Sequence, residues 1–266
     1  MLKNVFLKTL RDQRVSLAWW AVGIAALCLF LVAYYPTVSR TPSLIEFMEE
    51  APDWVKAFIG ESAEDYTSPS GFLHGELFFV MAPMLFIIFA VSRGSAAIAG
   101  EEGKGTLDLL LANPIPRRRV VLEKAASMAA ATLGLGLVLW ASLSVGAALF
   151  DMDISPANLA AASLSCVLLG LVFGNLALAV GCLTGKRGRS VGIAAASAVT
   201  TFFVYSLSGM VKALKPWSRI SPFYYYIASE PLKRGLNAAH ALVLLAASLA
   251  LGALSVFLFE RRDILV

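Results

Sequence analysis

The sequence predicts an all-α membrane protein with six transmembrane helices. Three observations lead there. The 266 residues are 58% hydrophobic and only 15% charged, whereas soluble domains carry about 25% charged residues. Mean hydropathy is +0.74. The apolar residues gather into six runs of membrane-spanning length, beyond the 18 or so residues that separate a span from a buried helix. These runs leave little chain for a soluble domain, so residues 1–266 are expected to form a single transmembrane domain.

The first 14 residues place Leu2, Val5, Phe6 and Leu10 on one helical face, with Lys3, Lys8, Arg11 and Arg14 away from it. That pattern predicts an interfacial helix over 1–15. Span 1 follows at about 16–35, with Trp19 and Trp20 near its start and Tyr34 and Tyr35 at its end, as interfacial aromatics require. No small-residue cleavage site follows it, so it reads as a retained span rather than a signal peptide.

Residues 36–70 are acidic and polar with scattered apolar positions, including Leu44, Trp54 and Phe58. They predict one or two amphipathic helices on the outer surface. Span 2 covers about 72–98, with Pro83 as the expected kink. Span 3 runs from about 119 to 150, and a short turn at Asp151-Met152-Asp153 leads to span 4 at about 156–183. Ser155 before Pro156 supplies an N-cap followed by proline at the first helical position.

Gly185-Lys186-Arg187-Gly188-Arg189 turns the chain into span 5 at about 190–213. Pro216, Pro222 and Pro231 break the next segment repeatedly, which predicts a re-entrant pair of short helices. Span 6 occupies about 238–259. With both termini inside, fifteen of the 22 basic residues fall on the inner side. This bias predicts cytoplasmic termini and an even number of spans in the cell's inner (plasma) membrane. The net charge of +4 follows membrane topology and does not suggest nucleic acid.

Between spans 2 and 3 lies a polar interruption, Gly100-Glu101-Glu102-Gly103-Lys104-Gly105-Thr106-Leu107-Asp108-Leu109-Leu110-Leu111-Ala112-Asn113-Pro114-Ile115-Pro116-Arg117-Arg118-Arg119. Leu107, Leu110 and Leu111 share one helical face, with Glu101, Glu102, Lys104 and Asp108 on the polar side. The glycines let the chain turn out of span 2, and Asn113-Pro114 ends the helix, since a residue before proline avoids the α region. An ordinary cytoplasmic loop would look the same by periodicity alone.

The pattern Glu-Glu-x-x-Gly-Thr-Leu-x-x-Leu-Leu-x-x-Pro-x-x-Arg-Arg at this position resembles the permease subunits of ABC-2 type transporters. The resemblance extends to the basic N-terminal "elbow" helix, the polar outer segment after span 1, the broken segment before span 6 and the ending Phe259-Glu260-Arg261-Arg262-Asp263. It implies that about 101–113 is a coupling helix docking into an ATP-binding cassette ATPase. The implied contact comprises Glu101, Glu102, Gly105, Thr106, Leu107, Leu110, Leu111 and Pro114. It further implies a dimer of permeases, taken as a homodimer, with two ATPase copies, and export as the direction.

No nucleotide site is expected in this chain. A Walker A loop needs G-x-x-x-x-G-K-[ST] to hold phosphates. Gly103-Lys104 is followed by Gly105 and Gly185-Lys186 by Arg187, so neither qualifies. ATP and Mg would bind the partner, no cofactor is expected here, and the chain is expected not to be an enzyme itself. Cys28, Cys166 and Cys182 all fall in apolar runs without metal or redox spacing.

Phe78, Phe79 and Met81 in span 2, with Phe202, Phe203, Tyr205 and Met210 in span 5, are candidates for an apolar substrate pathway or for plain packing. In the resembled family these two spans face the central path. His74 and Glu76 form either a proton or substrate site or a pair that reaches interfacial water. They lack the H-E-x-x-H spacing of a zinc protease. The Gly170-x-x-x-Gly174 pattern in span 4 predicts close helix packing. The expected function is export of an amphipathic or lipophilic compound. The alternatives are a non-transporting membrane anchor or sensor that recruits an ATPase, and an intramembrane enzyme.

Overall fold

The computed structural model describes residues 4–38, 68–112, 115–211 and 213–262, and among them the regular structure is helical throughout. The polar segment at 39–67, where surface helices were expected, lies outside the described residues. Six helical segments are long and apolar enough to cross a membrane. In chain order they are α1 (Val5–Val38), the stretch Pro69–Gly100, α5 (Arg117–Leu149), α6 (Pro156–Thr184), α7 (Arg187–Leu207) and α10 (Ala238–Arg261). The stretch Pro69–Gly100 comprises α2 (Pro69–Leu73), a π-turn (His74–Phe78), α3 (Met81–Ser95) and a second π-turn (Ala96–Gly100). Short helices α4 (Leu107–Leu111), α8 (Pro222–Ile227) and α9 (Pro231–Arg234) and a 3-10 turn (Ser218–Ile220) complete the set among the described residues.

Helix α6 is the centre of the bundle. Of its most apolar stretch 83% is buried, against 22% for α1, α7 and α10. Small residues allow this. Gly174 packs so closely on α3 and α5 that a Cβ there would lie 2.8 Å from Ala90 Cβ of α3 and 2.9 Å from Met128 Sδ of α5, and Gly170 faces the Phe86 backbone. The Gly170-x-x-x-Gly174 pattern therefore serves packing within the chain, as small residues do where helix backbones approach. Asn175 Nδ2 donates to Ser248 Oγ at 2.8 Å and ties α6 to α10 by a buried polar contact.

The structure revises three boundaries. The expected break between an elbow helix ending at 15 and a span starting at 16 is absent, and α1 runs unbroken for 34 residues. Between Val5 and Gly23 there is no proline or glycine to interrupt it. Its first turn is capped, since Phe6 N donates to Asn4 Oδ1 at 2.8 Å and to Glu123 Oε2 of α5 at 3.1 Å. The expected amphipathic pattern holds: Val5 is buried and Lys8, Arg11 and Arg14 are exposed.

In span 2 the break falls at Phe79–Val80, not at Pro83. Val80 leaves helical geometry with φ −127°. Pro83 sits in the first turn of α3, where its missing N–H has no partner to lose. Just before the break, Phe79 N donates to His74 O at 2.8 Å, a π-type bond. Finally, α7 ends at Leu207, six residues before the expected end of span 5. Ser208 Oγ donates back to Tyr205 O at 2.7 Å, and Gly209 follows.

The proline-broken segment forms the expected short helices, α8 and α9, joined to the bundle by specific bonds. Ser221 accepts from Phe223 N as N-cap and donates its own hydroxyl to Thr201 O at 2.8 Å. Asn158 Nδ2 donates to Leu232 O at 2.9 Å, holding α9 at the start of α6. The Phe223 ring lies 5.9 Å from Phe173, well inside α6, so α8 dips into the bundle. Non-spanning backbone is tolerated at such depth only where protein covers it.

Candidate functional site

The polar interruption folds as a tight stop followed by one helical turn. The span-2 helix continues through Glu102, then reverses through Gly103-Lys104-Gly105. Gly105 has φ +66°, Thr106 N donates to Glu101 O at 2.9 Å and Gly105 N to Glu102 O at 3.0 Å. This pair of bonds with a left-handed glycine is the Schellman stop, which satisfies the orphan carbonyls of a helix end. Thr106 Oγ1 adds a second bond to Glu101 O at 3.1 Å. The separate helix is thus shorter than the expected 101–113: it spans only Leu107–Leu111. Glu101 and Glu102 belong to the end of span 2.

That end would be an unfavourable place for two carboxylates, because a helix C-terminus carries about half a negative charge. Cations resolve the conflict. Lys124 of α5 pairs with Glu101, and Arg262, just past α10, pairs with Glu102. Spans 2, 4 and 6 all end on this side, so three helix C-termini converge there. Arg262 Nη1 also donates to Cys182 O of α6 at 3.3 Å, and Arg117 Nη1 donates to Arg262 O at 2.9 Å. The guanidinium of Arg262 therefore links the ends of spans 2 and 4, while Arg117 caps the end of span 6.

Gly185 makes this knot possible. It closes α6 in the left-handed region with φ +64°, and a Cβ there would overlap Arg262 Nη2 and lie 2.6 Å from Glu102 Oε1. Glycine adopts this left-handed conformation without strain and leaves the Arg262–Glu102 pair its space.

Above the knot, Leu107 is 1% exposed. It plugs a cluster formed by Ile98, Val120, Val121, Leu178, Cys182 and Phe259, with Leu110 and Ile115 packed against its edge. Thr106 and Asp108 on the same turn are exposed, as are Gly103, Lys104 and Gly105. The backbone of Leu111 completes the helix, and Pro114 lies outside the described residues. One buried leucine thus rests on spans 2 to 4 and 6, and a polar face looks away from the bundle.

The chain matches the family described as ABC-2 family transporter protein over residues 3–264. It belongs to that family. The protein is accordingly an integral membrane permease of the ATP-binding cassette class, a transport component rather than a catalyst, whose family works with ATPase partners in general. Among curated proteins, none matches the chain.

The permease brings together some pathway candidates and separates others. Phe79 packs on Phe202 at 5.9 Å, Phe202 on Phe203 at 5.8 Å and on Phe223 at 5.3 Å. Tyr205 meets Tyr224 at 6.5 Å. Phe78 is buried, and its carbonyl accepts from the buried Tyr226 hydroxyl at 2.6 Å. Met81, Phe203 and Met210 instead expose large parts of their side chains. His74 is buried with its ring 5.9 Å from Phe79, while Glu76 is half-buried.

Several functional-looking residues escape the motif. Lys124 and Arg93 interrupt otherwise apolar spans, which is the signal that could have found them. Arg262 gave no such signal, because a basic residue after a final span is ordinary topology.

Proposed function

We propose that this permease exports an amphipathic or lipophilic compound, driven by ATP hydrolysis in a separate ATP-binding cassette subunit. Helix α4 with its preceding turn is the coupling element. The observation that supports this most is Leu107: a fully buried anchor under an exposed polar turn transmits displacement from a soluble partner to several span ends at once. Glu101 and Glu102 are engaged within the chain by Lys124 and Arg262. The outward surface of the contact then falls to Lys104, Thr106 and Asp108.

In this reading the basic end faces the cytoplasm, as the charge bias favours, and both termini lie there. The permease pairs with a second copy of itself and binds two ATPase subunits, which carry ATP and Mg. The aromatic cluster around Phe79, Phe202 and Phe223 suits an uncharged or weakly charged apolar cargo. Purification of the full chain from its membrane in mild detergent, followed by mass determination, tests the assembly. The expected particle contains two 28.4 kDa permease chains and two ATPase chains. A particle lacking any ATPase would overturn the proposal.

A further inference from the structure

Beside the Arg262–Glu102 pair, and sharing the Lys124–Glu101 pair as one wall, a polar recess of about 160 Å³ opens between α1, the second π-turn, α5 and the start of α7. Its walls carry four cations, Arg93, Lys104, Lys124 and Arg187, against two carboxylates, Asp12 and Glu101. Lys124 and Glu101 neutralise each other. Arg93, Lys104 and Arg187 remain against the single exposed carboxylate of Asp12, and among the described residues none of these three cations has an ion-pair partner.

The cations are held together rather than scattered. Arg93 Nη2 donates to Ser16 Oγ of α1 at 2.6 Å, and its guanidinium lies 5.2 Å from the centre of the Phe89 ring. Its Nε is buried without a hydrogen-bond partner. The Arg187 side chain lies against the same π-turn, its Cδ 3.7 Å from where a Cβ on Gly100 would stand, and it lines the recess together with Arg93. Two guanidiniums of like charge, one with a buried unmatched donor, leave the recess short of negative charge. Gln13 lines the same space with its amide oxygen buried and unmatched, and an amide turned over offers two donors instead.

We propose that this recess binds a phosphate-class anion, either the headgroup phosphate of an anionic phospholipid or a soluble phosphate. Arg93 and Arg187 are the principal ligands, with Lys104 at the rim. Guanidinium groups suit phosphate because their fixed forks match its oxygens, and basic hollows between membrane helices bind lipid headgroups. The bound anion offsets the like charge of the two arginines and fastens α1 to the end of span 2. The site does not depend on the ATPase reading, since its ligands would hold an anion in the isolated chain.

The test uses the full chain purified in neutral detergent, with phosphatidylglycerol, phosphatidylcholine or inorganic phosphate as probes. Native mass spectrometry counts retained lipid, and the unfolding midpoint reports phosphate. The expected result is preferential retention of phosphatidylglycerol or a midpoint rise with phosphate. Arg187→Gln, at an exposed position, should weaken the effect about fivefold, and adding Arg93→Gln should remove it. Arg219→Gln at the opposite end should leave it unchanged. A lipid preference without a phosphate response assigns the lipid source, and the reverse assigns the soluble one. If wild type discriminates none of the probes, or Arg187→Gln binds them as wild type does, the proposal is overturned.

Discussion

Replacing Leu107 by Asp is expected to abolish stimulation of the partner ATPase while the six spans remain inserted. The leucine is 1% exposed among Ile98, Val120, Val121, Leu178, Cys182 and Phe259. A carboxylate there has no cation inside the cluster, and burying an unpaired charge is far more costly than unseating a five-residue helix. The side chain would swing out and take α4 with it. Leu107→Ala should act in the same direction with a smaller effect, about 2–5 kcal/mol for a buried leucine truncated to alanine. Asp108→Ala, on the exposed side of the same turn, should change stability by no more than about 0.5 kcal/mol. ATP turnover of the purified complex and the unfolding midpoint of the permease separate these outcomes. Normal turnover in Leu107→Asp would contradict the coupling role of α4.

Gly94→Ala is expected to lower the unfolding midpoint, although alanine is ordinarily the better helix former by about 1 kcal/mol. A Cβ at Gly94 would overlap the Gly174 carbonyl oxygen and stand 3.2 Å from Leu178 N. Both obstacles are backbone of α6, so no side chain can rotate away. Helices α3 and α6 must separate, at a cost of about 1–3 kcal/mol and toward the upper end of that range. Gly134→Ala and Gly192→Ala make the contrast, because nothing lies within 4 Å of a Cβ at either position. They should be neutral or stabilising. A Gly94→Ala midpoint equal to theirs would show that the α3–α6 contact is looser than described.

The spans were legible because membrane burial imposes a long apolar run that no other structure needs. Span 4 even announced its role, since the glycines at 170 and 174 are the ones that face α3. The elbow was not separable, because amphipathicity reports which face is polar and says nothing about whether a helix bends. The shift of the span-2 break from Pro83 to Val80 was hidden for a related reason: proline is disruptive only past the first turn, and the start of α3 is set by tertiary packing.

At the candidate coupling element the sequence placed Leu107 on the apolar face of the turn, and its side chain is buried. The sequence offered Glu101 and Glu102 as outward contacts, yet both are engaged by residues distant in sequence, Lys124 and Arg262. Ion pairs across 23 and 160 residues leave no periodic trace. They arise because even-numbered spans bring their C-termini to one side, where each end attracts a cation.

The most direct measurement is a cross-link from the exposed turn. Cys28, Cys166 and Cys182 are buried, so Asp108→Cys introduces the accessible thiol among the described residues. Native membranes carrying Asp108→Cys are treated with a thiol-directed photo-cross-linker, and the adduct is identified by mass. The account predicts an adduct with an ATP-binding cassette ATPase from Asp108→Cys and none from Arg219→Cys at the opposite end. No ATPase adduct from Asp108→Cys, or the same adduct from Arg219→Cys, would contradict it.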